Sequence, residues 1–328
     1  MRILTFHGVG GPRYPAEAFL AQAKWLARHF RIVSLDDIVA KLSDPSEPPH
    51  HEVALTFDDG LRNAATVAYP VLKELHLQAT FFVCPGLVET GRWLWTHEAR
   101  QRLLQLDREG LSTLAHRLRG QAFDAEGLVG RMKGLGLAAR QRVEAEIRSA
   151  TPGFRPTDQE RRAFDLMDWD DLAGLDPSLI TVGSHSTSHA TLTTLDSQEL
   201  QHEVSDSRRW LEQRLGRAVR LFCYPNGSAD QRVIDVARRN YSAAVTAEPG
   251  FVSHRSDGYA LPRIPAGSRP CLLSWRMHRP VAVPVTLGGL ALLKRTREAL
   301  GALIPGPTSE DEQGPIPSRT SPRTPPAG

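Results

Sequence analysis

Val53-Ala54-Leu55-Thr56-Phe57-Asp58-Asp59-Gly60 is the stretch on which the reading of this chain turns. Its first five residues form an apolar run that fits a short buried strand. The run ends in two adjacent carboxylates and a glycine. Neighbouring residues on a strand point to opposite faces, so packing alone does not account for both aspartates. Two carboxylates this close resist full ionisation unless positive charge lies beside them. A cation satisfies both, with one aspartate binding it and the other handling protons near it. Asp and Gly are also turn residues, so the tripeptide by itself is equally good turn chemistry. The rest of the chain separates the two readings.

Working outward, Ile3–Phe6 reads as a first strand ending at His7, and Ala79–Val83 as the strand after the aspartates, by its β-branched and aromatic content. Arg31–Leu35 is short and apolar, and further strands are expected at Ile180–Gly183, Val219–Tyr224, Ser242–Thr246 and Tyr259–Ile264. Between them, Ala16–Phe30, Asp36–Leu42, Asn63–Leu75, Trp169–Leu175, Gln198–Leu215 and Asp230–Asn240 have helical spacing. Asp196 or Ser197 caps the start of the helix that Gly216 stops. Pro85–Trp95 reads as a loop. Strands alternating with helices predict a parallel sheet, and at least seven strand candidates favour a barrel over an open sheet. Glu98 to about Arg148 is helical with glycine interruptions and reads as an inserted cap, the insertion spanning about 98–173. The domain reading is a barrel over 1–284, a helix over 285–304, and a disordered tail over 305–328 that is rich in Pro, Ser, Thr and Gly.

The chain has 328 residues, 41% hydrophobic and 23% charged, with net charge +3. That is the balance of a soluble globular protein, and without a dense basic run it gives no case for nucleic acid. Cys84, Cys223 and Cys271 form neither a disulfide framework nor a zinc pattern, which fits a reducing compartment. The N-terminal run is too short for a signal peptide, and no 18-residue apolar run exists to span a membrane. A cytoplasmic location follows as the expectation. The basic residues Lys294, Arg295 and Arg297 leave open a peripheral contact with a membrane surface, although a solvated face is the simpler reading. Nothing in the sequence fixes an oligomeric state.

His185 and His189 follow a strand directly and are four apart. If the backbone turns helically there, both rings share one face and suit one metal. With Asp59 they make a two-His, one-carboxylate set with open positions, the pattern of a catalytic metal site. Most of the 12 histidines need no such role. Position strengthens this pair. In parallel barrels the chemistry gathers at strand C-termini, and His7, Asp58-Asp59, His185, Pro225-Asn226-Gly227 and Arg263 all fall at or near such ends.

Thr56-Phe57-Asp58-Asp59-Gly60 with His185-Ser186-Thr187-Ser188-His189 resembles the first two motifs of the polysaccharide deacetylase family (NodB homology, carbohydrate esterase family 4). Phe222-Cys223-Tyr224-Pro225-Asn226-Gly227 resembles the third. The similarity covers roughly Ile3 to Ile264. It implies a distorted (β/α)7-8 barrel that removes N-acetyl groups from amino sugars of a polysaccharide or glycan precursor. It also implies one divalent metal, zinc by family habit, with cobalt, nickel, manganese or iron compatible. By that resemblance Asp59, His185 and His189 are the ligands and Asp58 the general base. The Asn226 N–H is expected to hold the oxyanion, where the family usually has Tyr. Tyr224, Pro225 and Trp95 are expected at the substrate, and Trp93, Trp95 and Trp169 are candidates to stack on sugar rings.

Two departures stand out. Cys223 occupies the position of the arginine that usually orients the base, so Arg263 is the expected substitute, able to fork onto a carboxylate from another strand. The family's late Leu-x-His motif is missing. His278 is a weak candidate for that acid. His7 is a better one, because Phe6-His7-Gly8-Val9 resembles the Tyr-His-x-Val opening of one branch, whose acid comes from the N-terminal side. Two rival readings remain: a glycan-binding member with impaired catalysis, and a non-haem iron oxygenase. The second is weakened because its histidine and carboxylate usually lie two apart.

Overall fold

Among the described residues, eight short runs, most of them apolar, form eight strands, every pairing parallel. They are β1 (Arg2–Phe6), β2 (Arg31–Ile32), β3 (Glu52–Phe57), β4 (Ala79–Val83), β5 (Ile180–Ser184), β6 (Leu221–Cys223), β7 (Ala243–Pro249) and β8 (Leu261–Pro265). The computed structural model describes residues 1–12, 14–43, 51–118, 124–267, 273 and 277. The expected helix at 285–304, the tail at 305–328, Cys271 and His278 lie outside those residues.

Because β1 pairs with β8 on one side and β3 on the other, the sheet closes. The ring runs β1, β3, β4, β5, β6, β7, β8. The two-residue β2 attaches to the start of β3 outside the ring order. This is the (β/α) barrel anticipated from the alternation, with seven strands closing it. All six residues of β3 are buried, as expected for a parallel strand covered on both faces. Phe6 and Phe57 sit in register on β1 and β3 and stack at 4.8 Å between ring centroids, with Phe19 and Phe81 edge-on to Phe57. This aromatic layer lies directly beneath the strand ends that carry His7 and Asp58.

Between β4 and β5 the chain forms helices Trp95–Leu103, Arg108–Arg117, Ala125–Met132, Leu137–Ala150, Asp158–Phe164 and Trp169–Ala173. They bury their own apolar cluster, including Leu103, Leu114, Leu128, Met132 and Ile147. Glycines mark only some of the breaks. Gly110, Gly127 and Gly130 lie inside helices, and two of the starts are instead fixed by Asp107 and Asp124, whose side chains accept from the backbone N–H three residues on. Among the described residues no helix is long and apolar enough to cross a membrane.

Two local expectations need correction. Pro85–Trp95 is not all loop: Pro85–Thr90 is a helix, with proline at its first position and Gly91 closing it at φ 61°. Proline lacks only an N–H that the first turn leaves unpaired anyway, so Pro-Gly here starts a helix instead of a turn. The Gln198–Leu215 helix is capped by Asp196 and stopped by Gly216 as anticipated, but it carries a π turn over His202–Asp206. That turn has a consequence at the site.

Candidate active site

β3 ends by delivering Asp58 and Asp59 to different partners. Asp58 N–H still continues the ladder onto the Phe6 carbonyl at 2.9 Å. Asp59 then leaves the strand in the left-handed region at φ 73°, followed by Gly60 at φ 66°. A side chain at Gly60 would press on Val83. The reversal sends the two carboxylates to separate pockets of charge.

Asp58 is clamped. Arg263, on β8 and almost fully buried, donates from Nη1 to Oδ1 and from Nη2 to Oδ2, both at 2.7 Å. The guanidinium is itself fixed by Nε on the Thr246 carbonyl, Nη1 on Thr56 Oγ1, and Nη2 on Cys223 Sγ at 3.2 Å. Burial pushes the Asp58 carboxyl up, but the charge and hydrogen bonds of Arg263 outweigh it and hold the group down at about 2. The small side chain of Cys223 leaves room for the guanidinium to arrive from β8.

Asp59 Oδ1 faces two imidazoles, His185 Nε2 at 3.5 Å and His189 Nε2 at 3.4 Å. All three residues are buried, and their donor atoms lie within 4.8 Å of one another. Burial raises the Asp59 carboxyl, and the facing rings of His185 and His189 outweigh it, leaving the group well below its usual range. His185 Nδ1 meets the Cys223 carbonyl at 2.7 Å. That contact assigns a ring proton to Nδ1 and makes Nε2 the atom that faces the carboxylate. Burial lowers this ring, but its contacts with Cys223 and Asp59 outweigh that and hold it well above the ordinary histidine range. Two Nε2 atoms facing one carboxylate oxygen, at a spacing longer than a charge-assisted hydrogen bond, fit a cation between them. A second set of donors, Asp58, His185 and Cys223, is also close. Its Asp58 and Cys223 are already taken up by Arg263.

The histidine pair does not lie on a helical turn, as its spacing had suggested. Residues 185–189 form a loop in which Ser186 (φ 63°) and His189 (φ 58°) are left-handed. The loop is held from outside. Thr187 N–H donates to the Glu203 carbonyl, and Ser188 N–H and Oγ donate to the Glu203 carboxylate at 2.9 and 2.6 Å. Glu203 sits in the π turn noted above. The bulge in that helix thus turns a buried carboxylate toward the ligand loop, a common setting for π turns.

A cleft of about 500 Å³ opens over this cluster, and Asp58, Asp59, His185, His189, Arg263, His7, Tyr224 and Asn226 all line it. His7 is exposed at the end of β1. Asn226 is left-handed at φ 56°, and Gly227 follows at φ 68°, where a Cβ would stand 2.4 Å from Ala247. Tyr224 is buried and its hydroxyl donates to the Tyr259 carbonyl, so only its ring is left for the cleft. Pro225 is buried beneath the turn.

The tryptophans lie elsewhere. Trp95 is 4% exposed, its ring is covered by the Arg140 guanidinium, and its Nε1 donates to the His189 carbonyl at 3.0 Å. Trp93 donates to Asp165 and Trp169 to Glu89. None of the three lines this cleft. Sequence reasoning passed over His97, Arg100 and Lys133, which do line it. The only sequence signal for His97 and Arg100 is helical spacing next to Trp95; Lys133, at the end of another helix, has none.

A parallel barrel that gathers a His-His-Asp cluster and an arginine-clamped carboxylate at its strand C-termini belongs to the barrel hydrolases. The polysaccharide deacetylase profile matches residues 46–244, and the chain belongs to that family, whose members hydrolyse carbon–nitrogen amide bonds. The Bacillus subtilis (strain 168) protein YxkH, named as a polysaccharide deacetylase, is 21% identical over 80% of this chain and 70% of its own length. Among solved structures, the deacetylase PplD of Streptococcus pyogenes, in complex with acetate, superposes with a TM-score of 0.59 at 19% identity, covering 85% of this chain and 98% of that one. IcaB from Ammonifex degensii gives 0.54 at 19% identity, covering 84% and 96%. At these identities the two structures speak for the fold.

Proposed function

We propose that the cleft hydrolyses the acetamido group of an N-acetylated amino sugar within a polysaccharide or glycan precursor, with one divalent metal held by Asp59, His185 and His189. The observation that carries this reading is the pair of Nε2 atoms converging on one carboxylate oxygen of Asp59. Zinc suits two imidazoles and a carboxylate. Bound there, a divalent metal would polarise the amide carbonyl and acidify a water.

The chain's own residues account for the remaining work. Asp58 takes a proton from the attacking water, and Arg263 keeps it ionised and oriented for that. The water oxygen adds to the carbonyl carbon, and the turn at Asn226 offers a backbone N–H to the oxygen that gains charge. As the carbon–nitrogen bond breaks, His7 gives a proton to the nitrogen, so acetate and a free amine leave. The clamp on Asp58 also weakens the case for an impaired glycan binder, which rested on the missing arginine and the missing late histidine.

Acetate release from N-acetylglucosamine oligomers tests the reading. Turnover should be lost with a chelator, return with added zinc or cobalt, and fall by at least 100-fold in Asp58→Asn. Turnover that survives both the chelator and the substitution would overturn it.

A further inference from the structure

The wall of the cleft facing the barrel is built by the helices between β4 and β5, and it is basic. His97 and Arg100 stand one turn apart on Trp95–Leu103, which places them on one face. Lys133 follows at the C-terminus of Ala125–Met132. All three line the same cleft as Asp59. Apart from Asp58 and Asp59, no carboxylate lines it among the described residues. Asp58 is already neutralised by Arg263, and Asp59 is committed to the imidazoles.

The partners of these three residues matter. Arg100 forks onto both carboxylate oxygens of Glu126 through Nε and Nη2, so its charge is largely matched by a group whose side chain is 61% exposed. Lys133 is exposed and has no carboxylate at ion-pair distance among the described residues. His97 Nδ1 is buried without a hydrogen-bond partner. Burial holds that ring down at about 4, against the pull of Asp59, so it meets a ligand as a neutral donor and acceptor.

The cleft is also asymmetric. A second lobe of about 510 Å³ shares His7, Asp59 and His97 with the first. Among the described residues no Lys or Arg lines that lobe, and its one further acid is Glu160, which caps its own helix at Thr157. The described positive charge is therefore concentrated on the side of Arg100 and Lys133. Low-dielectric walls of one sign concentrate ligands of the opposite sign.

We propose that the lobe lined by Arg100 and Lys133 binds an anionic group, a carboxylate or a phosphate, carried by the glycan next to the acetamido sugar, with Lys133 as the principal charge. The proposal rests on the deacetylase reading of this site and narrows its substrate class to acidic glycans.

Three probes of similar size separate the cases: fully N-acetylated chitotetraose (neutral), a tetrasaccharide alternating N-acetylglucosamine with glucuronate (carboxylate), and fully N-acetylated chitotriose 1-phosphate (phosphate). Both kcat/KM for acetate release and Kd on the Asp58→Asn protein are measured for each. We expect at least one anionic probe to exceed the neutral one by 10-fold or more in both quantities, with the larger ratio telling carboxylate from phosphate. The ratio should fall toward 1 in Lys133→Glu and in high salt, while Lys133→Arg retains it. Because a ratio is read within one protein, a general loss of folding does not mimic the result. Equal ratios in wild type and Lys133→Glu, or a neutral probe that binds best, overturn the proposal. If the anionic probes bind with the expected ratio but release no acetate, the subsite stands and the deacetylase reading falls.

Discussion

Arg263 reaches Asp58 from a strand 205 residues further along the chain and closes a two-pronged contact, both prongs at 2.7 Å, with the pair buried from solvent. Removing one partner of a buried pair leaves the other charge without compensation, at a cost of about 3–5 kcal/mol. Arg263→Ala should therefore lose about that much stability in urea unfolding, and acetate release with it. Arg263→Lys keeps a charge but cannot form the fork, so it should recover part of the stability and little of the turnover. If Arg263→Ala unfolds at the wild-type midpoint, the clamp carries no energy. Thr56, Cys223 and Thr246 also hold the guanidinium, so pairing Arg263→Ala with Asp58→Asn in a double-mutant cycle isolates the fork.

This clamp also shows how far the sequence could be read. Asp58, Asp59, His185 and His189 were legible because each motif is local and each follows a recognisable strand. Arg263 was legible as the residue to fork onto Asp58 only through the family resemblance and the cysteine at 223, since closure of β8 onto β1 puts it opposite Asp58 and no local pattern encodes that. The loop over 185–189 is not the helical turn that the four-residue spacing allowed. Its left-handed residues depend on Glu203, which is distant in sequence and turned inward by a π bulge. Lys133 and His97 were invisible as site residues, because helix spacing says which face a residue takes and not which cleft that face meets.

Glu98 joins the helices between β4 and β5. Its carboxylate meets Arg102 at 2.9 Å and Arg148 at 2.9 and 3.0 Å. Burial raises this carboxyl, yet Arg148 and then Arg102 outweigh it and bring it from 4.5 to about 2. A depressed acid stabilises the fold in full above its unfolded value, and that contribution is lost as pH falls from about 4.5 toward about 2. Discounted for solvent screening, the gain is about 1–2 kcal/mol. Glu98→Gln should be less stable than wild type by that amount at pH 7, and the gap should narrow by roughly half or more as unfolding is measured down to pH 3. A gap that stays constant with pH would show that lost packing, not charge, sets the effect.

His7 ends β1 exposed to the cleft, so it can be replaced without opening the core. His7→Ala should keep the wild-type melting temperature. If His7 is the proton donor, kcat should drop by about 10²–10⁴ with KM little changed. A substrate whose leaving group needs no proton should recover most of that loss, because the acid then has nothing to do. Near wild-type turnover in His7→Ala on an acetylated sugar would remove His7 from the mechanism.

Trp95 supports His189 from below. Its Nε1 donates to the carbonyl of His189, a residue held in the left-handed region at φ 58°. The same backbone is tied by its N–H to Ser186 Oγ at 3.1 Å. The conformation that turns the ring toward Asp59 is thus pinned at both backbone polar groups. Trp95→Phe keeps an aromatic ring in the space packed against Arg140 but removes the N–H together with the rest of the indole's second ring, so some lost packing adds to the lost hydrogen bond. Groups that orient a metal ligand are commonly worth about 10–100-fold in metal affinity or activity. The expected result is weaker metal binding of that order, measured by competition with a chromophoric chelator, and turnover restored by excess metal. Stability without metal should fall by about 1–3 kcal/mol, the cost of a buried acceptor left unpaired, with the lost packing added. If Trp95→Phe binds metal as tightly as wild type, Ser186 alone fixes the loop and the tryptophan is ordinary core.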